Sequence, residues 1–143
     1  MMITEEKIQK MIEIALKARE KSFLIREDHK IGACILTLDG GYFDGCIIES
    51  VIFGLGTCAE RAAINHAVVS GEIAFKALAV VDEGLSYPCG ACLQYLLQFA
   101  QAAGTDPVII VADIKGNYVS KMISDLLPNG YLTKDKFDKV KRG

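Results

Sequence analysis

Residues 76–112, KALAVVDEGLSYPCGACLQYLLQFAQAAGTDPVIIVA, decide the fold, because they read in order as strand, corner, helix and strand. Lys76 to Val81 is a short apolar run with the character of a buried strand. Cys89 to Ala103 has helical periodicity and stops at Gly104, and Val108 to Ala112 is a second buried strand. The corner between the first strand and the helix is Pro88-Cys89-Gly90-Ala91-Cys92. Upstream, Cys58-Ala59-Glu60 opens another helical stretch, Cys58 to Val69, after a glycine-bearing loop (Gly54, Gly56, Thr57) and before Ser70-Gly71.

Working outward, residues 4–22 place Ile8, Met11, Ile12, Ile14, Ala15 and Ala18 near helical spacing, with Thr4 as the start. Lys30 to Thr37 and Tyr42 to Glu49 read as strands joined by the hairpin turn Leu38-Asp39-Gly40-Gly41. After a turn at Lys115-Gly116-Asn117, Ile114 to Val119 reads as a further strand, and short helices are predicted near 120–127 and 134–141. Strands alternating with helices predict an α/β fold, a three-layer α/β/α sandwich with a mixed sheet of about five strands. No linker, repeat or low-complexity tract interrupts the chain, so residues 1–143 are expected to form a single domain.

Cys58, Cys89 and Cys92 supply three thiolates. A structural zinc site is closed by four protein ligands, whereas a catalytic one uses three and keeps a position for water. Glu60 lies two residues from Cys58 and is available to move protons without binding the metal. A carboxylate following the first ligand, with Pro-Cys-x-x-Cys downstream, is the arrangement of hydrolytic zinc deaminases. Both metal elements begin helices, whose positive ends favour thiolates, and Arg61 can hydrogen-bond those thiolates. Cys34 and Cys46 fall inside apolar strands and read as core thiols. His29 and His66 read as surface or hydrogen-bonded residues rather than ligands.

The chain has 143 residues, a net charge of −2 and five cysteines. The charge argues against a nucleic-acid binder, which needs a basic face. An odd cysteine count fits reduced, cytoplasmic thiols better than a disulfide framework. No apolar run approaches the ~18 residues of a membrane span, and the N-terminus lacks the apolar region of a signal peptide. The expected partner is a small-molecule nucleoside, with no nucleic acid and no membrane.

Thr57-Cys58-Ala59-Glu60-Arg61 with Pro88-Cys89-Gly90-Ala91-Cys92 resembles the small, homotetrameric cytidine deaminases. Gly32-Ala33-Cys34-Ile35-Leu36 leading to Asp39-Gly40, Gln94, and Asp125-Leu126-Leu127-Pro128 extend the likeness over residues 20–131. Ile25-Arg26-Glu27-Asp28 and Leu127-Pro128-Asn129-Gly130-Tyr131 look more like blasticidin-S deaminases. The resemblance implies zinc on Cys58, Cys89 and Cys92, Glu60 as proton shuttle, and Arg61 behind the thiolates. It also implies substrate contact at Glu49, Ile47, Phe23 and Ala59, and a homotetramer or at least a dimer. The implied reaction converts cytidine or deoxycytidine to the uracil nucleoside plus ammonia, as pyrimidine salvage requires. The chain departs from the family at Ile47, where an asparagine holds the sugar, and at Leu93, where an arginine is usual. Phe23 is the nearest replacement for an absent aromatic and proline run. Those departures keep two alternatives open: a deaminase of blasticidin S or another aminopyrimidine nucleoside, and a non-catalytic zinc protein. Tyr131 and the segment after it either cap a pocket or finish the core.

Overall fold

In the computed structural model, residues 3–26 and 28–131 are described; the helix expected at 134–141 lies outside them. Helix α1 (Glu5–Arg19) starts where Thr4 accepts the Lys7 N–H at 3.3 Å, as an N-cap should. Strands β1 (Gly32–Thr37) and β2 (Tyr42–Cys46) form the hairpin. Helix α2 (Ala59–Val69), strand β3 (Phe75–Asp82), helix α3 (Gly90–Ala103) and strand β4 (Val108–Asp113) follow. Strand β5 (Tyr118–Met122) and the short helix α4 (Ile123–Leu126) complete the described elements. Gly104 ends α3 with φ 71°, a left-handed cap that suits glycine.

The sheet order is β2-β1-β3-β4-β5, with β3 and β4 parallel and the other neighbours antiparallel. From β2 through α2 to β3, and from β3 through α3 to β4, the chain advances in one direction across the sheet. Right-handed crossovers then put α2 and α3 on the same face. Alternation along the strands divides the core accordingly. Ala33, Ile35, Leu78, Val80, Ile109 and Val111 pack with α2 and α3. Cys34, Leu36, Ala77, Ala79, Val81 and Ile110 pack beneath α1 on the other face. The mixed five-strand, three-layer arrangement agrees with the sequence expectation.

Three boundaries differ. The strand expected at 114–119 runs instead from Tyr118 to Met122, because Asp113 draws residues 114–117 into a turn. Its Oδ1 accepts the N–H groups of Lys115 and Asn117, and Gly116 takes φ 92°. The helix expected at 120–127 is correspondingly reduced to 123–126. Strand β2 ends at Cys46 rather than Glu49, since Ile48 leaves β1 to bridge Phe23 and Thr57. Cys46, at that strand end, is half-buried and not a core thiol, whereas Cys34 is fully buried.

Two glycines let helices approach the sheet. A Cβ on Gly32 would lie 1.9 Å from the Ala15 carbonyl of α1, and one on Gly45 would lie 2.3 Å from the Ala63 nitrogen of α2. Both obstacles are backbone, so neither can swing aside. Gly45→Ala is expected to cost about 1–3 kcal/mol or more through overpacking, read as a lowered urea midpoint. Gly84→Ala, which meets nothing within 4 Å, should leave that midpoint nearly unchanged.

Burial pushes the Cys34 thiol up to about 12 from its ordinary 9.0. The folded state thus holds the proton longer than the unfolded state, and the associated stability is full below about pH 9 and declines as pH rises toward 12. By pH 10 the loss should be about 1–2 kcal/mol. Urea unfolding of wild type and Cys34→Ala at pH 8 and 10 checks this: the wild type should lose more stability between the two pH values. Equal losses would remove Cys34 as the cause.

Candidate metal centre

Cys58 and Cys89 are the N-cap residues of α2 and α3, both extended, with φ/ψ of −71°/156° and −68°/164°. Their carbonyls accept the first-turn bonds from Ala62 and Leu93 at 3.0 Å. An N-cap side chain usually satisfies a free N–H of the first turn, yet neither cysteine makes such a bond. The thiols are directed to each other instead. The Sγ atoms of Cys58, Cys89 and Cys92 all lie within 4.8 Å of one another. Cys89 Sγ is 3.4 Å from Cys92 Sγ. Three sulfurs about 2.3 Å from a tetrahedral zinc would be roughly 3.8 Å apart, so the cluster has the dimensions for one ion. It is the group of three or more metal-ligating side chains found among the described residues, and neither Cys34 nor Cys46 contributes a fourth sulfur to it.

Electrostatics prepare the cluster for a cation. Cys58 is lowered to about 5: a hydrogen bond from the Cys92 thiol leads, and Arg61 adds a hydrogen bond and a positive charge that outweigh burial. Arg61 Nη2 stands 3.5 Å from Cys58 Sγ. Cys92 is pushed up by the hydrogen bond it gives Cys58, by burial, and by the nearby Glu60 carboxylate. The two thiols thus share one hydrogen bond, with the Cys58 end of the pair drawn toward the anion by Arg61. Glu60, in the first turn of α2, is only 5% exposed. Burial raises its pKa, the Cys58 charge adds to the rise, and the Cys92 thiol hydrogen-bonds it. A buried carboxyl with a raised pKa beside a metal-binding cluster is suited to holding and releasing a proton.

The other site residues expected from sequence gather unevenly. Arg26, Ile47, Glu49, Thr57, Cys58 and Arg61 line one open cavity of about 210 Å³. Phe23 pairs its backbone with Ile47 and Glu49, at 3.0 and 2.8 Å, while its side chain is 58% exposed. Ala59, expected to touch substrate, is instead fully buried in the core beneath α2. Glu49 Oε1 accepts the Arg26 N–H at 2.8 Å and that of Ile25. Tyr131 is tied to α3 through Gln94, which accepts its N–H at 2.8 Å and donates to its carbonyl at 3.1 Å.

The sequence reading left Arg26 out of the site, and it read His29 as surface or hydrogen-bonded without naming its partner. Arg26 reaches the cavity from the loop before β1, and His29 Nε2 sits 2.9 Å from the buried Asp82 at the end of β3. The loop bearing both has no periodicity to read. The sequence signs there were the Ile25-Arg26-Glu27-Asp28 likeness and a charged run, Arg26 to Lys30, directly before a buried strand.

Comparison with known proteins agrees with this geometry. The family described as the cytidine and deoxycytidylate deaminase zinc-binding region matches residues 5–105. A cytidine deaminase of Sporosarcina psychrophila is 37% identical over 130 residues, covering 90% of this chain and 93% of that protein. A blasticidin-S deaminase of Bacillus cereus is 28% identical over 135 residues, covering 86% and 93%. The crystal structure of cytidine deaminase from Burkholderia pseudomallei superposes with a TM-score of 0.80 at 34% identity, covering 90% of this chain and 100% of that one. A cysteine triad of metal-binding dimensions, a matched zinc-binding region and a shared fold lead to one conclusion: this chain belongs to the cytidine and deoxycytidylate deaminase family, with zinc as its cofactor.

Proposed function

We propose that residues 1–143 form a single zinc-dependent deaminase domain that hydrolyses the exocyclic amine of a free cytosine nucleoside, releasing ammonia. The observation that carries this reading is the buried Glu60 carboxyl beside a three-thiol cluster; a closed structural site needs no such acid. Cys58, Cys89 and Cys92 hold the zinc, which when bound supplies the Lewis acid that makes water nucleophilic near neutral pH. Glu60 takes the proton of the attacking water and delivers it to the ring nitrogen beside the amine. It then takes the proton of the hydroxyl newly added to the ring carbon and passes it to the amine, which leaves as ammonia as the C–N bond breaks and the carbonyl forms. Arg61 donates to Cys58 Sγ at 3.5 Å and sets a positive charge beside the thiol cluster. The cavity bordered by Ile47 and Glu49 receives the sugar.

This activity suits pyrimidine salvage in the cytoplasm. The exposed apolar run Val51, Ile52, Phe53 and Leu55 beside the cavity supports assembly into a homotetramer or dimer. Ile47 favours a second reading, deamination of blasticidin S or a related aminopyrimidine nucleoside, since an apolar wall there cannot hydrogen-bond a ribose hydroxyl.

Metal removal provides one check. Chelated protein should lose zinc and melt at lower temperature, with recovery on adding zinc back; occupancy at 100-fold the dissociation constant stabilises by about 2.7 kcal/mol. Cys58→Ala, Cys89→Ala and Cys92→Ala should each retain far less than equimolar zinc by elemental analysis. Full occupancy in any of them would remove that residue from the ligand set.

Activity provides the other. Zinc-loaded protein should release ammonia from cytidine and deoxycytidine, and Glu60→Ala should lower kcat by at least about 10²–10⁴-fold while retaining zinc. Turnover of blasticidin S alone would select the second reading. A zinc-loaded protein silent on all three substrates would refute the nucleoside deaminase assignment.

A further inference from the structure

Two carboxyl groups are buried among the described residues, and only Glu60 belongs to the metal centre. The other, Asp82, ends β3, is 3% exposed, and gathers bonds from two segments. The corner that leads to Cys89 supplies the Glu83 N–H at 2.7 Å and the Ser86 side chain. The loop before β1 supplies His29, whose Nε2 lies 2.9 Å from each carboxylate oxygen. Burial opposes the Asp82 charge, yet His29, Glu83 and Ser86 hold the carboxyl below its usual range. It is therefore anionic wherever a histidine titrates.

The His29 side chain is half-exposed, so solvent protons reach it. Charged, it meets Asp82 in a charge-assisted bond. Neutral, one tautomer still donates from Nε2, while the other turns a lone pair toward the carboxylate. Charged neighbours come from every element around the pair. At the end of α1, Arg19 stands 3.9 Å from Glu83, and Glu20 takes Lys30 at 3.2 Å. Asp28 and Lys30 flank His29 in the chain. Asp113 of β4 is the register partner of Asp82 and is engaged by Lys115 and Asn117. Of the residue types present, only histidine changes charge readily between pH 6 and 9.

The loop that His29 holds borders the cavity. Ile25 and Arg26 give their N–H groups to Glu49, and Arg26 lines the cavity with Ile47, Glu49 and Cys58. From Lys30 onward the chain is fastened to α1, where Arg19 Nε donates to the Lys30 carbonyl at 3.1 Å. His29 ties the span between these fixtures to the sheet. Loss of its bond would loosen the cavity wall, while Glu83 and Ser86 still hold Asp82 to the corner toward Cys89. We infer that His29 is a positioning residue: charged and paired with Asp82, it fixes residues 23–26 beside the cavity and tightens substrate binding without acting on the metal centre. The inference rests on the deaminase reading for its substrate, whereas the loop is observable without one.

The test takes two readouts on zinc-loaded protein at pH 6 and pH 9. One is amide-exchange protection of residues 23–26, corrected for intrinsic rates. The other is KM and kcat for ammonia release from cytidine or, in its place, blasticidin S. His29→Gln keeps a hydrogen-bond donor without the charge, and His29→Arg keeps the charge at both pH values. His66→Gln removes the chain's other histidine. At pH 6 the wild type should exceed His29→Gln by at least about 5-fold in protection and have a KM lower by as much. At pH 9 both ratios should approach unity. His29→Arg should keep the advantage at both pH values, and His66→Gln should follow the wild type. At each pH, kcat and zinc content should match the wild type in all three variants. Equal protection in wild type and His29→Gln at pH 6, a loosened loop with unchanged KM, or a parallel loss of kcat or zinc overturns the inference. Ammonia release with none of these His29 effects leaves the deaminase reading standing alone. Protection that depends on His29 and pH, in a protein silent on cytidine, deoxycytidine and blasticidin S, sustains His29 as the residue that positions the loop and removes the deaminase reading.

Discussion

Everything at the metal centre depends on two helix N-termini being directed at one point. A thiolate cluster in a partly buried site is costly unless positive potential surrounds it. Here α2 and α3 begin at Cys58 and Cys89, so the positive ends of both helices face the sulfurs. The convergence follows from strand order. Both crossovers advance the same way across the sheet, so right-handedness places both helices on one face and both starts at the same end. Placing α2 on the opposite face would separate Cys58 from the Cys-x-x-Cys and leave no site.

That convergence requires close packing, and the sequence supplies small residues where it is needed. Gly45 lets the α2 backbone lie against β2, and Ala33, Ala59, Ala63 and Ala67 line the same contact. The consequence for Glu60 is chemical. One helical turn seated this deeply leaves the residue 5% exposed, and burial raises its affinity for a proton. Packing and proton transfer are thus one problem: loosening α2 would hydrate Glu60 and return it toward an ordinary surface acid.

Elements set by periodicity and punctuation were legible in the sequence. Thr4 capped α1, Gly104 closed α3, and the apolar runs at 76–81 and 108–112 became adjacent parallel strands. The metal triad was legible because its spacing has few other uses. Errors arose where local side-chain bonding overrode pattern. Asp113 converts an apparent strand start into a turn, which moves β5 to 118–122 and shortens the following helix. Cys46 has the pattern of an interior strand residue, but β2 is the edge of the sheet and ends there, leaving the thiol half-buried. The contacts of Arg26 and His29 were not legible, because an aperiodic loop's path is set by distant partners that no local rule specifies.

That loop separates recognition from chemistry. Residues 23–31 are tied down by Phe23 to the backbone of Ile47 and Glu49, by Ile25 and Arg26 to the Glu49 carboxylate, and by His29 to Asp82. Asp82 is a firm anchor. Burial opposes its charge, but His29 and the Glu83 N–H at 2.7 Å outweigh burial and hold the carboxyl below its usual range. The loop is thus fixed at both ends by charged groups that do not touch the thiols, while the thiols and Glu60 are fixed by helices packed on the sheet. Changes along this loop and at Ile47 can reshape the end of the cavity bordered by Ile47 and Glu49 without disturbing the metal centre. Such independence lets the residues around Ile47 and Arg26 vary while the thiol cluster and Glu60 keep their places.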